Sequence, residues 1–303
     1  MSSHEASSLK SIFYALGANF SIAIAKLTAA LITNSGSMMA ESVHSFADCG
    51  NQGLLLLGLK RSKRPPDEHH PLGYGKSIYF WSFIVAIMLF SMGGLFSIYE
   101  GIHKLHDPSP LNSPLIAIGV LVFAVIAEGL SLLGCMKEIN KVRGSSSYLT
   151  WFKETRQSEL MVIFGEDLAA LLGLIFALCA ITLAMITGNP IYDAIGSIGI
   201  GVLLLIIALF IGVEVKALII GQGVEKKERE AMLSFLEAQN DIEQVFNLIT
   251  LQLGNDVMVA IKAKIHPQSS DIQLIAAINR CEANFKEEFP KVLWCFFEPD
   301  IKD

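Results

Sequence analysis

Over roughly the first 220 residues the chain alternates long apolar runs with short polar joints. A helix needs about 20 residues to cross a hydrocarbon core of about 30 Å, and six runs reach that length. They fall near residues 11–33, 37–59, 78–102, 113–135, 160–187 and 191–219. After about residue 221 the pattern shortens. Residues 226–239 have helical spacing, and 245–253 and 257–265 read as strands joined through Gly254-Asn255-Asp256. Residues 272–289 are helical again and 292–297 read as a closing strand. Val257, Val259, Ile261, Ala263 and Ile265 alternate with a face carrying Lys262 and Lys264, as in a sheet with one covered side. The pattern predicts a six-helix transmembrane bundle over 1–220 and a C-terminal α+β domain over 221–303, in the order α-β-β-α-β. A domain of about 80 residues forms only a small core and gains from a partner.

Composition supports the membrane reading: 52% of residues are hydrophobic, only 17% are charged, and mean hydropathy is +0.50. The joints differ in charge. Those after the second and fourth runs carry Lys60, Arg61, Lys63, Arg64 and Lys76, then Lys137, Lys141, Arg143, Lys153 and Arg156, whereas the others nearly lack basic residues. The positive-inside bias therefore places both termini, and the C-terminal domain, in the cytoplasm. The net charge of −6 carries no such information, and no basic patch points to nucleic acid. Cys49, Cys135, Cys179, Cys281 and Cys295 show no CxxC spacing, which predicts reduced, structural thiols. MSSHEASSLK lacks the features of a cleaved signal, so nothing is expected to be removed.

The informative residues are the polar ones inside the apolar runs. AESVHSFADCGNQGLLLLG places Glu41, His44, Asp48 and Asn51 within about an 80° arc of one helix face. A carboxylate at mid-span costs at least ~2.5–3.5 kcal/mol, which makes Asp48 a functional candidate by default. His44 and Asp48, at i and i+4, can reach one divalent cation together, or form a hydrogen-bonded pair that joins two helices. Glu41, near the helix end, reads as interfacial; Asn51 reads as an interhelical donor or a ligand. In the fifth run Glu166 and Asp167 are adjacent, about 100° apart on the helix, so they serve one small site unequally. Glu128, in VIAEGLSLLG, is a further candidate against a plain interhelical hydrogen bond. Asn19, Lys26 and Asp193 are expected to make packing hydrogen bonds or to snorkel. The loop RSKRPPDEHHPLGYGK offers Asp67, Glu68, His69 and His70, either as a solvated turn or as a cation-collecting entrance.

These residues carry a resemblance. AESVHSFADCGNQGLLLLG, PDEHHPLGYGK, the GED of the fifth run and the α-β-β-α-β tail together resemble the cation diffusion facilitator family. IFGEDLAALLGLIFAL and TGNPIYDAIGSIGIGVLL are most similar to its mitochondrial zinc-transporter subgroup. The resemblance implies a homodimer that moves a divalent cation out of the cytoplasm in exchange for protons, by alternating access, through a site between the second and fifth spans. It also implies a plasma or bacterial inner membrane, no cofactor beyond the transported metal, and no enzyme activity. Many members carry His-xxx-Asp on both helices, but here Ile163 stands four residues before Asp167. Glu166 compensates in this reading, giving a harder site of His44, Asp48, Asp167 and Glu166 flanked by Glu128 and Asn51. Zinc remains the first expectation, with cobalt, iron(II) or manganese admitted by the oxygen donors. The tail has a single histidine, His266, which argues against a regulatory cluster of tail histidines. No G-xxxx-GK[ST] loop supplies ATP chemistry, and no H-E-xx-H supplies a metallohydrolase. A non-transporting membrane sensor or scaffold is the alternative.

Overall fold

The computed structural model describes residues 3–108 and 110–302, and all their side chains except those of 3–16 and 18. Each of the six apolar runs is helical. They form α1 (Ser3–Thr33), α2 (Gly36–Ser62), α3 (Ser77–Met88) continuing through a π-helical turn, Leu89–Leu95, into α4 (Phe96–His106), α5 (Pro114–Val142), α7 (Ser158–Thr187) and α8 (Ile191–Ile220), with a short α6 (Tyr148–Glu154) between. Among the described residues, four helical stretches are long and apolar enough to cross a membrane: Ser77–His106, Pro114–Val142, Ser158–Thr187 and Ile191–Ile220. The described apolar part of α1, Asn19–Thr33, is shorter, and α2 is diluted by its polar face.

The chain divides into two compact units. The first comprises Met1–Leu57, Trp81–Tyr148 and Glu159–Glu214. Its helices pack closely where glycine removes the side chain: a Cβ on Gly201 of α8 would lie 2.7 Å from the Gly94 carbonyl oxygen in the π turn. Asp193, at the start of α8, fixes the start of α2. Its Oδ2 accepts from the Gly36 amide at 2.6 Å, and its Oδ1 accepts from Ser35 Oγ at 2.7 Å, from the Ser37 amide at 3.3 Å and from Ser37 Oγ. Those amides are the ones an α-helix leaves without an internal partner, so the carboxylate both caps α2 and anchors it to α8.

The second unit comprises Gly58–Phe80, Leu149–Ser158 and Val215–Asp303. Its tail runs α9 (Lys226–Glu237), β1 (Ile242–Leu253), β2 (Asp256–Ile265), α10 (Asp271–Glu288) and β3 (Val292–Pro299), the predicted order with small shifts at the ends. The sheet order is β1-β2-β3, with β1 antiparallel and β3 parallel to β2. The alternating face of β2 is buried with Met232, Leu236, Ala277 and Phe285 of the two helices. The β1–β2 turn has Gly254 at φ +70°, a left-handed conformation that favours glycine. Tyr79, in α3, meets this turn: its hydroxyl accepts from the Gly254 amide at 3.1 Å. Arg156 Nε donates to the Gly223 carbonyl at 2.7 Å. These contacts tie the start of α3 and the α6–α7 joint to the tail.

Candidate metal centre

The polar face read from α2 exists and is buried. Glu41, His44 and Asn51 are each 0% exposed, and the Asp48 side chain is 17% exposed. His44 Nδ1 stands 3.6 Å from Asp48 Oδ1, one helical turn away, too long for a good hydrogen bond. Both ring nitrogens of His44, Asp48 Oδ1 and Asn51 Oδ1 are buried without a hydrogen-bond partner. Leaving such groups bare costs about 1–3 kcal/mol each, so a cluster of them calls for a ligand or a proton to complete it.

Opposite lies α7. Glu166 is 6% exposed, and its Oε1 accepts from Asn51 Nδ2 at 2.5 Å, a buried bond between the two helices. Asp167 is half-buried and accepts from Ser131 Oγ of α5 at 3.1 Å through Oδ2. Asp48, Glu128, Glu166 and Asp167 thus line one cavity of about 40 Å³, with Asn19, Ser45, Gln52 and Ser131 among its other walls. Four carboxyl groups from α2, α5 and α7 meet there, in a space suited to one ion and little else. Ile163 of α7 also lines it, so the position where an imidazole is missing does face the site.

The structure brings the predicted residues together unevenly. Asp48, Glu128, Glu166 and Asp167 share the cavity, Asn51 reaches it through Glu166, and His44 stands one turn further along α2 beside Asp48. Among the described residues no three His, Cys, Asp or Glu side chains already converge on a metal-holding arrangement.

Of the two roles expected of Lys26, the structure shows the packing hydrogen bond and not snorkelling: it is 0% exposed, with Nζ 3.3 Å from Glu41 Oε2 and donating to Ser45 Oγ at 2.7 Å. One reading is corrected: Glu41 is not interfacial but the buried partner of that ammonium. The signal was present in the sequence, since Lys26 sits seven residues inside the end of α1 and a lysine at that depth needs a counter-charge. What was missing was the partner's register. In the loop, Asp67 is already committed: it accepts from the amides of His69 and His70 at 3.0 and 2.7 Å and from Tyr74 Oη at 2.6 Å. The Tyr74 hydroxyl first, then the His70 amide, hold its carboxyl below the usual range. The loop is a self-bonded turn, with the His70 ring against Tyr74 at 4.1 Å between centroids.

In the tail, Cys281 is buried and Cys295 half-buried, and burial pushes both thiols up to about 11.

Comparison with known proteins places this arrangement. Residues 12–220 match the cation efflux transmembrane domain. The chain is 34% identical over 232 residues to the mitochondrial proton-coupled zinc antiporter SLC30A9 of Mus musculus and of Homo sapiens, covering 76% of this chain and 41% of each relative. It is 31% identical over 249 residues to metal tolerance protein C4 of Arabidopsis thaliana, covering 82% of this chain and 54% of that one. It is 24% identical over 269 residues to the cation-efflux pump FieF of Escherichia fergusonii, covering 88% and 83%. The chain spans about two fifths of the length of the SLC30A9 relatives it matches. It belongs to the cation efflux, or cation diffusion facilitator, family; of the matched members, SLC30A9 is named as an antiporter and FieF as an efflux pump, and its relatives are transporters and not enzymes.

Proposed function

We propose that this cation efflux protein is a secondary transporter that moves a divalent cation out of the cytoplasm in exchange for protons. Zinc is the first candidate substrate, and cobalt, iron(II) and manganese are compatible with an oxygen-rich donor set. The observation that carries the reading is the bare His44–Asp48 pair beside a small cavity whose other acids come from two further helices. His44, Asp48, Glu166 and Asp167 are the ligands in this reading; Asn51 orients Glu166 and Glu128 completes the ring of acids.

Exchange follows from charge balance. Four acids cannot share a space of about 40 Å³ inside a membrane with their charges unbalanced, and either a divalent cation or protons can supply the balance. Ligands must be deprotonated to bind metal, so loading a cation expels protons and protonation expels the cation. Opening to alternate sides then couples the two gradients. In this proposal the chain has six spans with both termini cytoplasmic, a transmembrane domain over 1–220 and a cytoplasmic dimerisation domain over 221–303, and works as a homodimer in a plasma or bacterial inner membrane. Reconstitution tests it: vesicles holding the purified protein should take up Zn2+ when a pH gradient is imposed and move protons the other way. Zn2+ binding without flux would favour a sensor or scaffold.

A further inference from the structure

Lys26 and Glu41 stand outside the ligand set, yet both are wholly buried, and their ion pair is incomplete. Glu41 Oε2 faces the ammonium at 3.3 Å, while Oε1 has no hydrogen-bond partner. A structural pair in a membrane interior is stable only when its remaining lone pairs are met, so a bare oxygen three residues from a bare imidazole on the same helix is unexpected. Space is kept for that oxygen: a Cβ on Gly173 of α7 would overlap Glu41 Oε1.

The bare atoms fall in sequence along one face. Asp48 Oδ1, the two nitrogens of His44 and Glu41 Oε1 all belong to α2, at spacings of four and three residues. With a rise of about 1.5 Å per residue they climb about 10 Å from the cavity toward the Gly36 end of the helix. In the orientation proposed above, that end is the outer one. Lys26 reaches across from α1 alongside this line, and its ammonium bridges Glu41 and Ser45 Oγ of the cavity wall, the latter at 2.7 Å.

We propose that Glu41 is an outward station on the cation's exit path, held in reserve by Lys26. The ammonium is a tethered cation that occupies Glu41 while the cavity below is loaded. Its positive charge opposes a divalent ion moving outward, so the pair acts as a charge gate. When the cation advances past His44, the ammonium yields Glu41 and keeps Ser45, losing one partner and not both. Lysine suits the task, because a compact ammonium on four methylenes exchanges partners more easily than a planar guanidinium fork. The inference rests on the transport reading and adds a carboxylate to its path.

Zn2+ binding to the purified full chain and Zn2+ flux in proteoliposomes test it together. Lys26→Met releases Glu41 to the cation, so Zn2+ should bind about tenfold tighter or more and leave more slowly, and Lys26→Met/Glu41→Gln should return to wild-type affinity. Wild-type or weaker binding in assembled Lys26→Met would overturn the proposal. Should Lys26→Met fail to assemble, Glu41→Gln decides: flux should fall about tenfold while the Zn2+ dissociation constant stays within about threefold of wild type. Wild-type flux in Glu41→Gln would equally overturn it. A merely structural pair predicts loss of assembly with no tightening of binding. Undiminished flux in His44→Ala is a separate result that would remove the transport site itself.

Discussion

Asn51→Ala removes one contact and little else. Asn51 Nδ2 donates to Glu166 Oε1 at 2.5 Å in a fully buried position, while its own Oδ1 has no partner to lose. A hydrogen bond to a charged group contributes about 1.5–3 kcal/mol. At about 1.4 kcal/mol per decade, deleting it should weaken cation binding by about 10- to 100-fold, if that bond is what aims Glu166 at the cation. The same range is typical of losing a group that orients a metal ligand. Competition for Zn2+ against a fluorescent chelator, on detergent-purified protein whose assembly is checked by size-exclusion chromatography, gives the dissociation constant directly. Asn51→Ala/Glu166→Ala should be no weaker than Glu166→Ala alone, because the amide acts only through the carboxylate. An affinity within about threefold of wild type in folded Asn51→Ala protein would refute the placement of Glu166 at the cation.

Ile163 lines the cavity four residues before Asp167, so Ile163→His should restore an imidazole and raise preference for Zn2+ over Mn2+, read as the ratio of the two dissociation constants. Glu166→Gln should weaken both ions, manganese more; unchanged selectivity in both variants removes α7 from the choice of metal. In the tail, burial raises the Cys281 and Cys295 thiols to about 11, so the folded state keeps their protons longer than the unfolded chain does. Their contribution to stability is complete below the unfolded thiol's range, about 8.5, and is lost as pH rises from there through about 11. Urea unfolding followed by tryptophan fluorescence should show that fall in the full chain, and a Cys281→Ala/Cys295→Ala variant should show less of it; equal slopes would contradict the burial argument.

The helices were legible because each apolar run is long and bounded by turn residues, and the tail because β2 alternates so regularly from Val257 to Ile265. The α2 face was legible too, since helical period alone puts Glu41, His44, Asp48 and Asn51 on one side. Period is a property of one helix, however, and the rest of the site depends on register between helices. Nothing in the order of residues pairs Asn51 with Glu166, or Lys26 with Glu41, because both bonds are set by how α1, α2 and α7 slide past one another. The loop after α2 is the solvated turn of the two readings its sequence allowed. Asp67 looks like a ligand in sequence, but its oxygens are taken up by amides two and three residues ahead and by Tyr74. The π turn at Leu89–Leu95 left no signal beyond Gly93 and Gly94, which are common in membrane helices for packing alone.

The most direct test of the central claim is Zn2+ flux in proteoliposomes under an imposed pH gradient, with proton movement recorded in the same vesicles, for the wild type, His44→Ala and Asp48→Ala. The account predicts coupled and opposite movement of Zn2+ and protons in the wild type, and loss of both in each variant with its assembly unchanged. Wild-type flux in either variant, or Zn2+ flux that ignores the pH gradient, would contradict it.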